Sequence, residues 1–182
     1  MNVGFFGGSF NPPHVSHVLA VSYVLATQPL DLVLVVPCFD HPLGKELAQF
    51  THRQAMCERA FEHLHHVEVS AIEQEMGETS RTLFTLRALH AAHPDWCLRL
   101  IIGADILNET ERWFGWSDIV QIAPPLVLGR LGHPHADAPP SVIPQLSSTD
   151  VRDRLARGLA VDEVVPRRVI EYARMHRLYG AT

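Results

Sequence analysis

Two histidines near one end of the chain, and a hydroxyl-rich run with an arginine near the other, carry the clearest chemical signals. His14 and His17 follow the stretch Gly7-Gly8-Ser9-Phe10-Asn11-Pro12-Pro13. Residues three apart in the first turn of a helix lie on one side of it, so both imidazoles can face the same ligand. The apolar residues from Val3 to Phe6 suit a short buried strand. Asn11 followed by two prolines reads as a helix start, with Asn11 as N-cap. A strand, a glycine turn and a helix N-terminus in that order point backbone N–H groups outward, which favours phosphate. Glycine also lets the backbone approach the ligand without a Cβ between them. The second run is Leu146-Ser147-Ser148-Thr149-Asp150-Val151-Arg152, which reads as a capped helix N-terminus. Two readings of it stay open. Asp150 and Asp153 offset Arg152 in a plain capped helix, or the hydroxyls, N–H groups and Arg152 surround a triphosphate.

Positioning these groups falls to an alternation of strands and helices. After a first helix with apolar positions at Val18, Leu19, Val21, Leu25 and Ala26, residues 31–37 form a Val- and Leu-rich run suited to a buried parallel strand. Thr51 reads as the N-cap of a helix over 51–64, with Ala55, Met56, Arg59 and Ala60 at helical spacing. Further strands are expected at 67–71, 98–102, 126–128 and 142–146. Further helices are expected at 81–93, as two short pieces within 104–122 that meet near Phe114-Gly115, from Thr149 onward, and over 166–177. Alternation of this length predicts an α/β fold: one Rossmann-like, doubly wound parallel sheet with helices on both faces, as a single domain over 1–182. Ligands of such sheets bind beyond the carboxyl ends of the strands, at the topological switch point. Gly7, Gly8, Gly103 to Asp105, Arg130 and Ser147 to Arg152 all fall at that edge.

Composition narrows the partners. The 182 residues carry a formal net charge of −5, which argues against a general nucleic-acid binder and leaves room for a local basic pocket. Cys38, Cys57 and Cys97 are odd in number and lack C-x-x-C spacing, so reduced thiols in the cytoplasm are expected. No segment reads as a signal peptide or a membrane span, so no membrane partner is expected. The histidines at 63, 65, 66, 133 and 135 lack matching Cys or carboxylate spacing, so no protein metal site is expected.

The run from Gly7 to His17 resembles the signature of the nucleotidylyltransferase superfamily, whose short form is H-x-G-H, with Ser16 in place of the usual glycine. The run from Leu146 to Arg152 resembles the I-S-S-T-x-I-R motif of the same superfamily. Across nearly the whole chain the resemblance is to bacterial nicotinate-mononucleotide adenylyltransferases. His41-Pro42-Leu43-Gly44-Lys45 sits where these carry a Pro- and Lys-bearing loop, and Arg53 and Met56 fit the helix that follows. Thr79 to Leu86 resembles their S-Y-T-x-x-T-L segment, with Arg81 replacing tyrosine. Gly103-Ala104-Asp105 with Trp113 resembles their G-x-D segment and downstream tryptophan, and Arg130 falls where they have an arginine after the fifth strand.

The resemblance implies transfer of AMP from ATP to nicotinate mononucleotide, with release of pyrophosphate. It implies catalytic roles for His14, His17 and Arg152. ATP contacts are implied for Gly7, Gly8, Ser9, Phe10, Ser147, Ser148, Thr149 and Arg152, and nicotinate mononucleotide contacts for Lys45, Thr85, Asp105, Trp113 and Arg130. Trp113 would stack on the pyridine ring. Mg²⁺ is implied as a companion of ATP, bridging phosphate oxygens and keeping its waters. The alternatives are a sibling enzyme using nicotinamide mononucleotide or phosphopantetheine, and a nucleotide sensor without turnover. A homo-oligomer is compatible with all three.

Overall fold

Five parallel strands form the sheet, in the order β3-β2-β1-β4-β5. They are β1 (Asn2–Gly8), β2 (Leu32–Pro37), β3 (Val67–Val69), β4 (Cys97–Gly103) and β5 (Pro125–Leu128). The helices are α1 (Val15–Thr27), α2 (Phe50–Phe61), α3 (Ile72–Met76), α4 (Thr82–Ala92), α5 (Ala104–Leu107), α6 (Trp116–Ile122), α7 (Ser148–Ala156) and α8 (Arg167–Met175). This computed structural model describes every residue except 42, 43, 45, 78, 79, 134, 137, 141, 142 and 182.

Side chains of successive strand residues point to opposite faces, and β2 shows what that alternation does. Val33 and Val35 enter one core with Val21 and Val24 of α1, Met56 and Ala60 of α2, and Val169 and Ile170 of α8. Leu32, Leu34 and Val36 enter the other, with Leu83 and Leu86 of α4 and Ile119 of α6. All six residues of β2 are buried, as a central parallel strand covered on both faces requires. Chain order reverses between β1 and β4, which pair in parallel from Asn2–Cys97 to Phe5–Leu100. The switch point therefore lies where Gly8 and Gly103 end their strands. Among the described residues no helix is long and apolar enough to cross a membrane.

Several boundaries depart from the pattern read in the sequence. The expected strand at 142–146 is no strand: Ile143 makes one isolated parallel bridge to Arg130, and Val142 lies outside the described residues. Pro144 has no N–H to continue a ladder there. Helix α2 starts one residue before Thr51 and is capped by Gln49, whose carbonyl accepts from His52 and Arg53. The stripe of α2 in the core is Arg53, Met56, Cys57 and Ala60, while Ala55 and Arg59 are only partly buried. On α1 the buried stripe is Ser16, Ala20, Val21 and Val24, and Leu19 and Ala26 face outward. Helix α3 leaves no periodic signal in the sequence, because five residues are too few to show one.

Candidate functional site

Helix α1 begins at Val15, so its N-cap is His14, and Asn11 lies outside the helix. The His14 backbone N–H donates to Nδ1 of His17 at 3.0 Å, and the two rings stack with centroids 3.7 Å apart. This contact fixes a tautomer. With Nδ1 accepting, neutral His17 carries its proton on Nε2 and can donate it to a ligand. Burial pushes the His14 pKa down to about 4, helped by the Arg130 guanidinium and opposed by Asp150. Burial, then His14 and Arg130, hold His17 well below the usual histidine range. Both rings are therefore neutral at pH 7 until an anion arrives to favour the charged forms.

Three cross-links carry the segment from Pro144 to Arg152 onto this turn and the first residues of α1. Ser148 Oγ donates to the Pro12 carbonyl at 2.8 Å, and Arg152 Nη1 donates to the Asn11 carbonyl at 2.8 Å. Ser16 Oγ donates to the Pro144 carbonyl at 3.1 Å. The serine that replaces the expected glycine thus uses its proton within the protein. Ser147 is the N-cap of α7, accepting from the Asp150 N–H at 3.1 Å. Arg152 Nη2 also reaches Thr149 Oγ1 at 3.2 Å, so the guanidinium is held from two sides.

On the β4–β5 side of the switch point, Arg130 donates to Asp105 at 2.6 Å and to the Leu146 carbonyl at 2.6 Å. Gly103 leaves room for this pair: a Cβ there would press on the Asp105 carboxylate, which would have to shift. Trp113 packs edge-to-face on Trp116, with ring centroids 5.7 Å apart.

These groups open into one cavity of about 1110 Å³. That lies at the upper end of the roughly 300–1,000 Å³ common for small-molecule sites. Gly7, Ser9, Phe10, His14 and His17 line it, together with Ser147, Ser148, Thr149 and Arg152. Asp105, Trp113 and Arg130 line it as well. Gly8 is not in the lining; a Cβ there would press on the Phe10 ring. Thr85 is not in the lining either. It is buried, and its hydroxyl donates to Glu73 Oε1 at 2.9 Å, while Glu73 Oε2 accepts the Phe39 N–H at 3.0 Å. Arg81 lies over the Phe114 ring at 4.9 Å. Lys45 lies outside the described residues. Among the described residues, no group of three or more His, Cys, Asp or Glu side chains is placed to hold a metal ion.

Three residues have supporting roles that the sequence did not give them. Arg53 is 1% exposed, and its guanidinium donates to the carbonyls of Ser9, Cys38, Phe39 and Ala48. Its signal was present: an arginine on the same helical stripe as Met56, Cys57 and Ala60. Asn11 is 2% exposed and joins several segments, where the sequence suggested only a cap. Tyr179, which also lines the cavity, had no local signal.

The cytidylyltransferase-like family model matches residues 5–154 of the chain. A relative from Anaeromyxobacter dehalogenans (strain 2CP-C), named probable nicotinate-nucleotide adenylyltransferase, is 44% identical, over 97% of this chain and 96% of its own length. One of the same name from Salinibacter ruber is 36% identical over the full length of both. Among solved structures, the Plasmodium falciparum nicotinic acid mononucleotide adenylyltransferase complexed with NaAD superposes with a TM-score of 0.86 at 18% identity. It spans 100% of this chain and 98% of that one. At that identity the likeness speaks for the fold.

Proposed function

The chain belongs to the cytidylyltransferase-like family and, within it, to the nicotinate-nucleotide adenylyltransferases, and on that premise we propose that its cavity transfers AMP from ATP to nicotinate mononucleotide. The products are nicotinate adenine dinucleotide and pyrophosphate. The observation that carries this reading is that the imidazoles of His14 and His17 and the guanidinium of Arg152 share one cavity with Asp105, Trp113 and Arg130.

The attacking group is a phosphate oxygen that is already anionic, so no general base is needed. The barrier lies in bringing two anions together and in the charge that develops on the α-phosphate and the departing pyrophosphate. Positioned donors answer both. His17, with its proton on Nε2, is the donor to the α-phosphate, and His14 stacks against it. Arg152, Thr149 and the N-terminus of α7 receive the β- and γ-phosphates. Ser148 has its proton on Pro12, so it serves this half-site by fixing α7 against the glycine turn. Trp113 offers a flat apolar face to the pyridine ring, and Arg130, steadied by Asp105, offers positive charge to the mononucleotide. Magnesium would enter with ATP as the MgATP substrate and would offset charge on its phosphates. Three free cysteines suit a reducing, cytoplasmic setting.

The test is pyrophosphate release with MgATP and a panel of acceptors. Nicotinate mononucleotide is expected to be preferred over nicotinamide mononucleotide and phosphopantetheine. Preference for either of those, or no release with any, overturns the reading. His17→Ala is expected to lower kcat by about 10²–10³-fold with the fold intact, the range seen when one transition-state donor is lost.

A further inference from the structure

Asn11 joins four segments of the chain. Its Oδ1 accepts from the Tyr179 hydroxyl at 2.7 Å and from the Ala48 N–H at 3.1 Å. Its Nδ2 donates to the Glu46 carbonyl at 3.5 Å, and its own carbonyl accepts from Arg152 at 2.8 Å. Tyr179 reaches Asn11 from the short turn Leu178–Gly180, which lines the same cavity as Arg152. The turn is costly to form. Arg177 (φ 50°) and Tyr179 (φ 57°) are both left-handed, a region that residues other than glycine seldom occupy. Such backbones persist where surrounding contacts hold them, and they concentrate at working sites. Burial also pushes the Tyr179 phenol pKa up, so at neutral pH it is an O–H donor, which the Asn11 carbonyl oxygen needs.

We propose that Tyr179 is a positioning residue of the nucleotide half-site, acting through Asn11 on the guanidinium of Arg152. Tyr179 fixes the Asn11 side chain, and the Asn11 backbone then presents its carbonyl to Arg152. That bond, with the one to Thr149, fixes the guanidinium at the cavity from two sides. The inference rests on the reading that a nucleoside triphosphate lies against Arg152, and it adds the turn at Leu178–Gly180 to the machinery that binds it.

The experiment measures MgATP affinity by calorimetry for the full chain, Tyr179→Phe, Asn11→Ala and the double variant, each checked for folding by thermal melting. Phenylalanine keeps the ring and leaves Asn11 Oδ1 paired with the Ala48 N–H, so the fold is expected to survive. The expected result is an MgATP Kd raised about fivefold in Tyr179→Phe, the size of effect one neutral hydrogen bond carries. In Asn11→Ala the rise is larger, and the double variant matches Asn11→Ala alone, because the phenol then has nothing to act on. In steady state, the KM for nicotinate mononucleotide stays within twofold in Tyr179→Phe. An unchanged Kd overturns the proposal, as does multiplication of the two effects in the double variant. A parallel rise in both KM values overturns it too, since that marks general loosening. If Tyr179→Phe does not fold, Asn11→Ala decides alone: an unchanged MgATP Kd there refutes the route through Asn11. Calorimetry with MgATP needs no turnover, so a failure to form the dinucleotide would sink the proposed function and leave this comparison standing.

Discussion

His14 makes the stability of this protein depend on pH in a window set by its burial. Its pKa lies at about 4 in the folded chain and near the ordinary 6.5 once unfolded. Because the folded value is the lower one, the unfolded state binds the extra proton as pH falls through 6.5, and folding loses free energy down to about pH 4. From pH 7 to pH 5 the linkage relation gives a loss of about 2 kcal/mol for this one imidazole. His17, also held below its ordinary value, adds a loss of the same sign. Against a total of about 5–15 kcal/mol for a typical domain, the dependence is readily measured. Replacing His14 with Gln removes one titrating ring while keeping a polar side chain of similar length. The measurement is urea unfolding at pH 5, 6 and 7 for both proteins. The wild type is expected to lose about 2 kcal/mol more than His14→Gln between pH 7 and pH 5. Parallel stability curves would refute the reasoning, since they would mean that His14 titrates alike in both states.

Other expectations concern the scaffold. Arg53→Met leaves the carbonyls of Ser9, Cys38, Phe39 and Ala48 without their shared donor, and is expected to cost about 3 kcal/mol in chemical denaturation. Thr85→Val removes the hydroxyl that serves the buried Glu73 carboxylate. It is expected to cost about 1–3 kcal/mol with the KM for nicotinate mononucleotide unchanged, and a large rise in that KM would restore a ligand role to Thr85. Ser16→Gly loses the bond to Pro144 and adds glycine to the first turn of α1; a melting experiment is expected to show a loss of about 1–2 kcal/mol, with kcat within threefold.

The sheet was readable in the sequence because buried parallel strands leave long apolar runs, and residues 31–37 are the plainest example. The two motifs were readable because glycine, proline, histidine and hydroxyl residues are informative at short range. What stayed hidden depends on contacts far apart in the chain. Asn11 before two prolines looks like a helix cap, and only the approach of Ala48 and Tyr179 gives its side chain other work. Thr85 shares a motif with ligand-binding segments by resemblance, yet its rotamer is fixed by Glu73 twelve residues earlier. The strand expected at 142–146 had the right residue types, but among its described residues the ladder is reduced to one isolated bridge, from Ile143 to Arg130.

The bonds Ser16–Pro144, Ser148–Pro12 and Arg152–Asn11 join residues 128, 136 and 141 positions apart. The cost of closing so long a loop grows only slowly with its length, each doubling adding about 0.6 kcal/mol, but no shorter stretch of chain can assemble the same pocket. During synthesis the histidine turn leaves the ribosome before α7, so, on the proposed reading, a partly made chain holds only half of the site for the triphosphate. On that reading nucleotide binding reports on completed folding: MgATP is expected to protect the finished molecule against unfolding or proteolysis while doing nothing for fragments that stop short of Arg152.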